Sequence, residues 1–186
     1  MARSTPDSGE AEGFRLASSP SHLLHRAEQL ASVRFTQLVG DSITLRQFAV
    51  LAAIAESPGL SQSDLVRATG IDRSTLADMM ARMEKRGWVM RSPSSADARA
   101  YSVLLGQAGG TMLSATAHHA RAADAAILDL LPRTKARAFL ATLTKLARLA
   151  EAAAEKAERA QRKLAKKQAR VQGQAKPVAA SRKPRA

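Results

Sequence analysis

Cysteine is absent from the 186 residues, and aromatic residues make up only 3% of them. Without cysteine the chain can form no disulfide and offers no thiolate for metal binding, redox sensing or nucleophilic catalysis. The 39 alanines favour helices over a β-sandwich or barrel, because alanine loses no side-chain entropy in a helix and packs poorly in sheets. The hydrophobic share of 45% is enough to bury a core in at least part of the chain.

Export and membrane segments are also missing from the pattern. Residues 1–15 mix Ser, Pro, Gly and acidic residues and contain no apolar core of a signal peptide. An uncharged window at 100–120 holds three glycines, a glutamine and two histidines, which is too polar for a membrane-spanning helix. We therefore expect a soluble cytoplasmic protein.

Negative charge is scarce, with 29 Lys and Arg against 16 Asp and Glu, a net charge of +13 and a pI of about 11.2. This balance predicts a polyanionic partner. Residues 151–186 alone contain eleven basic and three acidic residues, so most of the excess lies there. The predicted organisation is a flexible arm at 1–18, a folded domain at 19–150, and a basic Ala/Lys/Arg-rich tail at 151–186 that is helical to about residue 170 and disordered beyond.

Helical periodicity dominates the folded domain. Ser19 before Pro20 is typical of a helix cap followed by proline in the first turn. A Thr44/Gln47 pair and a Ser61/Asp64 pair are typical of capping boxes, and Gly70 and Asp72 are typical of a helix end and the next helix start. Two β-type runs follow, separated by a polar loop, which indicates a hairpin. The predicted helices are 21–39, 44–56, 61–69, 72–86, 107–131 and 133–150, and the predicted strands are 88–90 and 101–105.

This element order predicts a mainly α-helical fold with a small β-hairpin wing. A winged helix-turn-helix module at about 44–105 is flanked by helices at 21–39 and 107–150. Such a module places its second helix in the major groove of DNA and its hairpin loop against an adjacent groove or the backbone. The DNA-contact candidates in the helices and at the base of the wing are Ser61, Gln62, Arg73, Ser74, Thr75, Asp78, Arg82 and Arg91.

Three segments, 60–76, 83–91 and 97–105, together resemble the MarR (multiple antibiotic resistance regulator) family of transcription factors. The most diagnostic piece is a D-x-R motif before an alternating apolar strand, here Asp97 and Arg99. The resemblance implies that Arg99 enters the minor groove and that Asp97 orients the loop. The family's usual threonine after this strand is missing from the segment that contains Gly106.

The resemblance spans roughly residues 22–150 and implies an obligate homodimer with a ligand cleft between its dimerisation helices and its winged modules. The residues agree, because the helices at 21–39, 107–131 and 133–150 carry apolar stripes without forming a compact core of their own. A twofold dimer would present two recognition helices about 34 Å apart to a pseudo-palindromic operator. The expected cleft walls come from the helices at 21–39, 44–56 and 107–131, and their residues are mostly Leu, Ala, Phe, Gln and Thr, which suit a small amphipathic or aromatic effector.

Several side chains have a plainer interpretation beside the functional one. The arginines could be solvated helix and strand ends, and Asp78 could pair with Arg82 rather than contact cytosine; we favour the pair. Met79, Met80 and Met83 have the spacing of a buried helix face and are interpreted as core. Four histidines, His22, His25, His118 and His119, could meet, but no acidic residue lies at ligand spacing, so neither a metal site nor any cofactor is predicted.

The tail cations Lys163, Lys166, Lys167, Arg170, Lys183 and Arg185 are expected to make phosphate contacts that raise affinity without adding sequence information. The leading hypothesis is a dimeric repressor released by a small ligand. The alternative is an architectural, nucleoid-associated protein that coats DNA through its tail. No arrangement of residues at catalytic spacing predicts an enzyme.

Overall fold

A computed structural model describes residues 14–93 and 101–174, and the elements follow the predicted order. A single 3-10 turn at Leu16–Ser18 precedes eight elements. They are α1 (Pro20–Val39), α2 (Leu45–Glu56), α3 (Gln62–Thr69), α4 (Arg73–Lys85), β1 (Val89–Pro93), β2 (Tyr101–Leu105), α5 (Gln107–Leu128) and α6 (Arg133–Gln174). The mainly α-helical class with a two-stranded hairpin is confirmed.

Helix starts follow the capping chemistry for the middle helices. Thr44 Oγ1 accepts from the Gln47 amide at 3.3 Å while the Gln47 side chain accepts from the Thr44 amide at 3.1 Å. Ser61 and Asp64 form the same reciprocal box at the start of α3, and Asp72 caps α4. Gly70 adopts a left-handed conformation, with φ of 67°, between the two helices. These local bonds fix the turn that joins α3 to α4.

The core is centred on the winged module and also includes Phe35 of α1 and Ala120 of α5. Its largest fully buried side chains include Leu51, Ile54, Leu65, Leu76 and Met83. Met79 and Met80 are buried on the same face of α4, which confirms the interpretation of the methionines as core. Outside the module, α1 packs along α5, and Phe35 of α1 contacts Phe48 of α2 with ring centroids 5.5 Å apart.

The hairpin is antiparallel, with Val89 opposite Leu105 and Pro93 opposite Tyr101. β1 therefore begins one residue later than predicted and extends through Ser92 and Pro93, which the sequence placed in the loop. The other edge of β2 pairs with the residues just before α3. The Gly59 amide donates to the Val103 carbonyl at 3.0 Å, and the Val103 amide donates to the Leu60 carbonyl at 2.9 Å. This extra bridge fastens the wing to the start of α3.

The chain ends differ from the prediction in three places. Leu16–Ser18 form a helical turn within the arm expected to be flexible, and Ser19 is buried, its hydroxyl 3.0 Å from that of Ser21 instead of capping α1. Helix α6 continues to Gln174, four residues beyond the predicted limit near residue 170, even though Gly173 is a poor helix former. The remaining arm and tail residues, 1–13 and 175–186, lie outside the described residues. No helix in the described ranges is long and apolar enough to cross a membrane.

Candidate DNA-binding site

The candidate site is built around the first turn of α4. The Asp72 carboxylate accepts from the Thr75 amide at 2.9 Å and from the Ser74 hydroxyl at 2.6 Å. Hydrogen bonds from Ser74 and Thr75 hold the pKa of Asp72 well below its ordinary value of 3.8. The cap is therefore ionised at physiological pH and holds the start of the helix in one geometry.

Arg73 projects from the same turn and is exposed. One of its guanidinium nitrogens donates to the Ser63 hydroxyl of α3 at 3.0 Å. Because a guanidinium carries five N–H donors, most of them stay available for phosphate or for a guanine edge. The bond to Ser63 orients Arg73 across the turn between the two helices.

Ser74 and Thr75 lie in this turn, but they already serve the cap. The Ser74 hydroxyl donates to Asp72, so it can only accept a further bond, and the Thr75 amide is likewise taken. Ser61 has the matching role in α3: its hydroxyl donates to Asp64 Oδ2 at 2.6 Å and accepts from the Asp64 amide at 3.2 Å. Gln62 begins α3 and is half-buried. The sequence therefore predicted DNA contact for these residues but did not distinguish that role from their part in the helix caps.

The outer face of α4 carries Asp78, Ala81 and Arg82, opposite the buried Leu/Met face, and Ala81 and Arg82 are exposed. Among the ion pairs of the described residues, none joins Asp78 to Arg82, so the favoured interpretation of an i, i+4 pair is wrong. Of the pairs that do form on α3 and α4, Arg67–Asp64 lies within α3, whereas Arg67–Glu158 and Arg91–Glu84 join these helices to α6 and β1. Arg82 thus faces solvent on the side of the helix that is turned away from the core.

The base of the wing is tied to the end of α4. Arg91 Nε lies 3.3 Å from Glu84 Oε2, and the Arg86 guanidinium lies 5.1 Å from the centroid of the Trp88 ring. The Arg91–Glu84 contact joins β1 to the end of α4, the Arg86–Trp88 contact lies in the turn between them, and no pattern in the sequence predicted either. Asp97 and Arg99, the predicted wing residues, lie outside the described residues.

Two glycines that the sequence patterns left unexplained let α5 approach the wing backbone. A Cβ at Gly109 would lie 1.9 Å from the Trp88 carbonyl oxygen, and one at Gly106 would lie 2.1 Å from that of Gly87. Gly106 also donates its amide to the Trp88 carbonyl at 2.9 Å and begins α5 with no side-chain cap. The only signal in the sequence was the glycine-rich start of this helix, where a larger residue does not fit.

A cleft of about 350 Å³ separates α1 and α2 from the turn before α4. Arg46 of α2 donates to Glu28 of α1 at 3.1 Å across it, and its wall includes Ile71 and Asp72. The predicted cleft had walls from α1, α2 and α5; the observed walls come from α1, α2 and the α3–α4 turn. The cleft therefore touches the cap of α4 directly.

The remaining predicted groups are spread over the chain. The rings of His118 and His119 lie 5.6 Å apart on α5, and His22 and His25 lie on α1. In residues 14–93 and 101–174 no three His, Asp or Glu side chains are arranged to hold a metal ion. Lys163 and Lys167 are exposed on α6, Lys166 and Arg170 belong to the same helix, and Lys183 and Arg185 lie outside the described residues.

Two paired helices joined by a tight turn, with a hairpin tied to the end of the second, define a winged helix-turn-helix protein. The MarR family model matches residues 43–101. The Escherichia coli transcriptional regulator HosA is 33% identical over 130 residues, which are 70% of this chain and 96% of HosA. The chain belongs to the MarR family, and it is a transcriptional regulator.

Two solved structures are similar over most of their length. BpsR of Bordetella bronchiseptica, whose DNA binding is regulated by 6-hydroxynicotinic acid, has a TM-score of 0.66 and 28% identity, covering 72% of this chain and 96% of BpsR. The transcriptional repressor CouR, bound to a 23-mer DNA duplex, has a TM-score of 0.63 and 26% identity, covering 71% of this chain and 94% of CouR. The relatives give no support to the alternative of an architectural DNA-coating protein.

Proposed function

We propose that this chain acts as a homodimeric repressor that binds a pseudo-palindromic operator and is released by a small aromatic acid. The observation that carries the proposal is the exposed first turn of α4, with Arg73 held by Ser63 and a wing fastened to both ends of the helix pair. A regulator of this kind acts on chromosomal DNA, so we also place it in the cytoplasm. Its family is one of regulators, and we assign it no catalytic activity.

Exposed leucines support the dimer. Leu23, Leu24, Leu30 and Leu38 on α1 and Leu140, Leu143, Leu146 and Leu149 on α6 all remain exposed in the single chain. Large apolar side chains exposed together on a soluble monomer mark an interaction site. A second copy would cover it through a twofold interface and set two α4 helices about 34 Å apart, which matches half-sites about 10 bp apart.

DNA contact is assigned to both the helix and the wing. Arg73 and Arg82 face outward from α4, and the positive end of the α4 dipole attracts phosphate at its start. The family resemblance assigns minor-groove contact to Arg99 and orientation of the loop to Asp97. Ser61 and Gln62, at the start of α3, are assigned contacts to the DNA backbone. Arg91 is already partly engaged by Glu84.

The cleft between α1, α2 and the turn before α4, which contains Arg46, is the proposed effector site. Arg46 and Glu28 are exposed by 58% and 40%, so an incoming carboxylate can replace Glu28 on the guanidinium, which binds carboxylates in a bidentate geometry. The apolar wall at Leu45, Ala49 and Ile71 suits an aromatic ring. Since Asp72 also lines the cleft, an occupant would act directly on the cap that orients Arg73.

Footprinting on DNA selected from a random library tests operator binding. We expect a protected inverted repeat, whereas uniform protection would contradict the proposal.

Arg99→Ala should weaken operator binding by about 1–3 kcal/mol, because it removes a minor-groove arginine. Arg26→Ala, on α1 and outside the proposed DNA surface, is the matched control. Equal affinities of the Arg99→Ala and parent proteins at the same salt concentration would contradict the wing assignment.

Thermal shift with 6-hydroxynicotinic acid and a panel of phenolic acids tests the cleft. A bound acid should raise Tm by mass action and release the operator in the same concentration range. Arg46→Gln should remove both effects, and Arg26→Gln should keep them. A Tm rise that survives Arg46→Gln would place the effector elsewhere.

A further inference from the structure

Two ion pairs that share Arg67, here called the relay, join α6 at Glu158 to the helix-turn-helix at Asp64. Arg67, in the last turn of α3, contacts Asp64 with one guanidinium nitrogen and Glu158 of α6 with another, at 2.7 Å from the latter. Glu158 also accepts from Arg162 at 2.7 Å. Arg67 and Glu158 are separated by 91 positions, and their side chains are only 29% and 27% exposed, so the contact is shielded more than an ordinary surface pair.

The relay is anchored in the cap of α3. Burial raises the pKa of Asp64, but hydrogen bonds from Ser61 and the Arg67 cation outweigh burial and bring the pKa below its ordinary value. Asp64 is therefore ionised and can hold Arg67 while it caps the helix. Ser63, the neighbour of Asp64, receives the bond from Arg73 of α4. Glu158 is thus linked through one arginine to the helix start that orients the DNA-contact candidates.

Charge changes abruptly at this anchor. Glu158 is the last acidic residue of the chain, and ten Lys and Arg follow it. Along a helix, Lys163 lies about 7.5 Å and Lys167 about 13.5 Å beyond Glu158, at about 1.5 Å per residue. Both are exposed. An uninterrupted positive segment therefore begins within about one Debye length of the helix-turn-helix.

We propose that the Arg67–Glu158 contact docks the α6 extension on α3 of the same chain, so that its lysines and arginines form a phosphate-binding arm beside the helix-turn-helix. The partner is the backbone of duplex DNA flanking the recognised half-site. Glu158 faces α3, and the positive segment beyond it faces the polyanion. This inference rests on the proposed function and adds to it a fixed position for the arm.

Two matched variants separate docking from bulk charge. Glu155→Arg and Glu158→Arg change the net charge equally, and each removes one intrahelical pair, with Arg159 or with Arg162. Only the second removes the bond to Arg67. We expect Glu158→Arg to bind a 30-bp random-sequence duplex about threefold more weakly than Glu155→Arg. Its plot of log affinity against log salt concentration should be shallower by about one to three, near one for each phosphate that the arm no longer neutralises.

Because the chain has no cysteine, Arg67→Cys/Glu158→Cys provides a clean proximity probe. A short bismaleimide should join the two thiols within one chain, which gives a band of monomer size on a denaturing gel. The joined protein should bind the duplex about threefold more tightly than the same variant blocked with N-ethylmaleimide.

The outcomes are distinguishable. If wild-type protein binds no duplex at 50 mM salt, the proposed function fails and this inference with it. If wild-type protein binds but the two Glu→Arg variants have equal affinity and salt slope, or Glu158→Arg binds more tightly, the docked arm alone is overturned. A crosslink only of dimer size would also overturn it, because the two thiols would then belong to different chains.

Discussion

In the winged module, Leu51, Leu65 and Leu76 are fully buried, whereas Leu140, Leu146 and Leu149 on α6 are exposed by 46–57%. Both regions are rich in leucine, so composition does not distinguish them. The apolar residues of the module are enclosed by α2, α3, α4, the hairpin and the flanking α1 and α5, while among the described residues the leucines of α6 stay exposed and α6 contacts α3 through Glu158. The winged module thus buries its leucines within one chain, whereas the exposed leucines of α6 would be covered only in the proposed dimer.

Leucine-to-alanine substitutions in the winged module and in α1, which carries exposed leucines like those of α6, test this contrast most strongly. Leu76→Ala should lower the free energy of unfolding by about 2–5 kcal/mol at any protein concentration, because it leaves a cavity in a closed core. Leu24→Ala should act through the dimer, so its effect should shrink as the protein is diluted. Urea unfolding at two protein concentrations measures both. A concentration-independent destabilisation by Leu24→Ala would break the comparison.

The junction between the regions is tested by two adjacent glycines. Gly109→Ala should cost about 3 kcal/mol of stability, since the new methyl group would overlap the Trp88 carbonyl and force α5 away from the wing. Gly110→Ala meets nothing within 4 Å and should add up to about 1 kcal/mol, as alanine is the better helix former. Thermal unfolding of both proteins gives the answer. Similar effects of the two substitutions would mean that α5 is not held this closely.

A charge on the exposed face of α6 tests the need for a second copy. Leu146→Glu should weaken dimerisation by about 100-fold, because a carboxylate would be buried without a partner, and operator affinity should fall with it. Leu164→Glu makes the same change on the same helix, 18 residues further on, and should leave the dimer intact. Sedimentation equilibrium measures the association. Equal behaviour of the two variants would place the interface elsewhere on the chain.

Local chemistry made much of the module predictable. The Thr44 and Ser61 boxes, the left-handed Gly70 and the Met79/Met83 face depend on residues a few positions apart, and the structure has all of them. Distant contacts left no comparable pattern. Nothing in the spacing predicts that Arg67 meets Glu158, or that Leu60 bridges to Val103, because each is decided by how whole elements pack.

Even a favourable local spacing was not sufficient on the surface of α4. Asp78 and Arg82 stand one turn apart and still do not pair, since an exposed pair gains little over solvation of both groups. Within the candidate site, the sequence identified which residues share the surface of α3 and α4. It could not show that the Ser61 hydroxyl caps α3 or that the Ser74 hydroxyl donates to the cap residue Asp72, because capping and DNA contact require the same residue types.

The helix caps also differ between the module and its flanking helices, because α2, α3 and α4 begin with side-chain caps while α1 and α5 do not. The smallest expected effect concerns the cap of α4. The pKa of Asp72 is lower in the folded chain than its ordinary value of 3.8, so its contribution to stability is fully present above about pH 4. That contribution is lost as the pH falls through the folded pKa. Asp72→Asn keeps an acceptor for the Thr75 amide but does not titrate. Urea midpoints should therefore differ most at pH 7 and converge or cross toward pH 2, whereas a difference independent of pH would mean that Asp72 does not act as a charged cap.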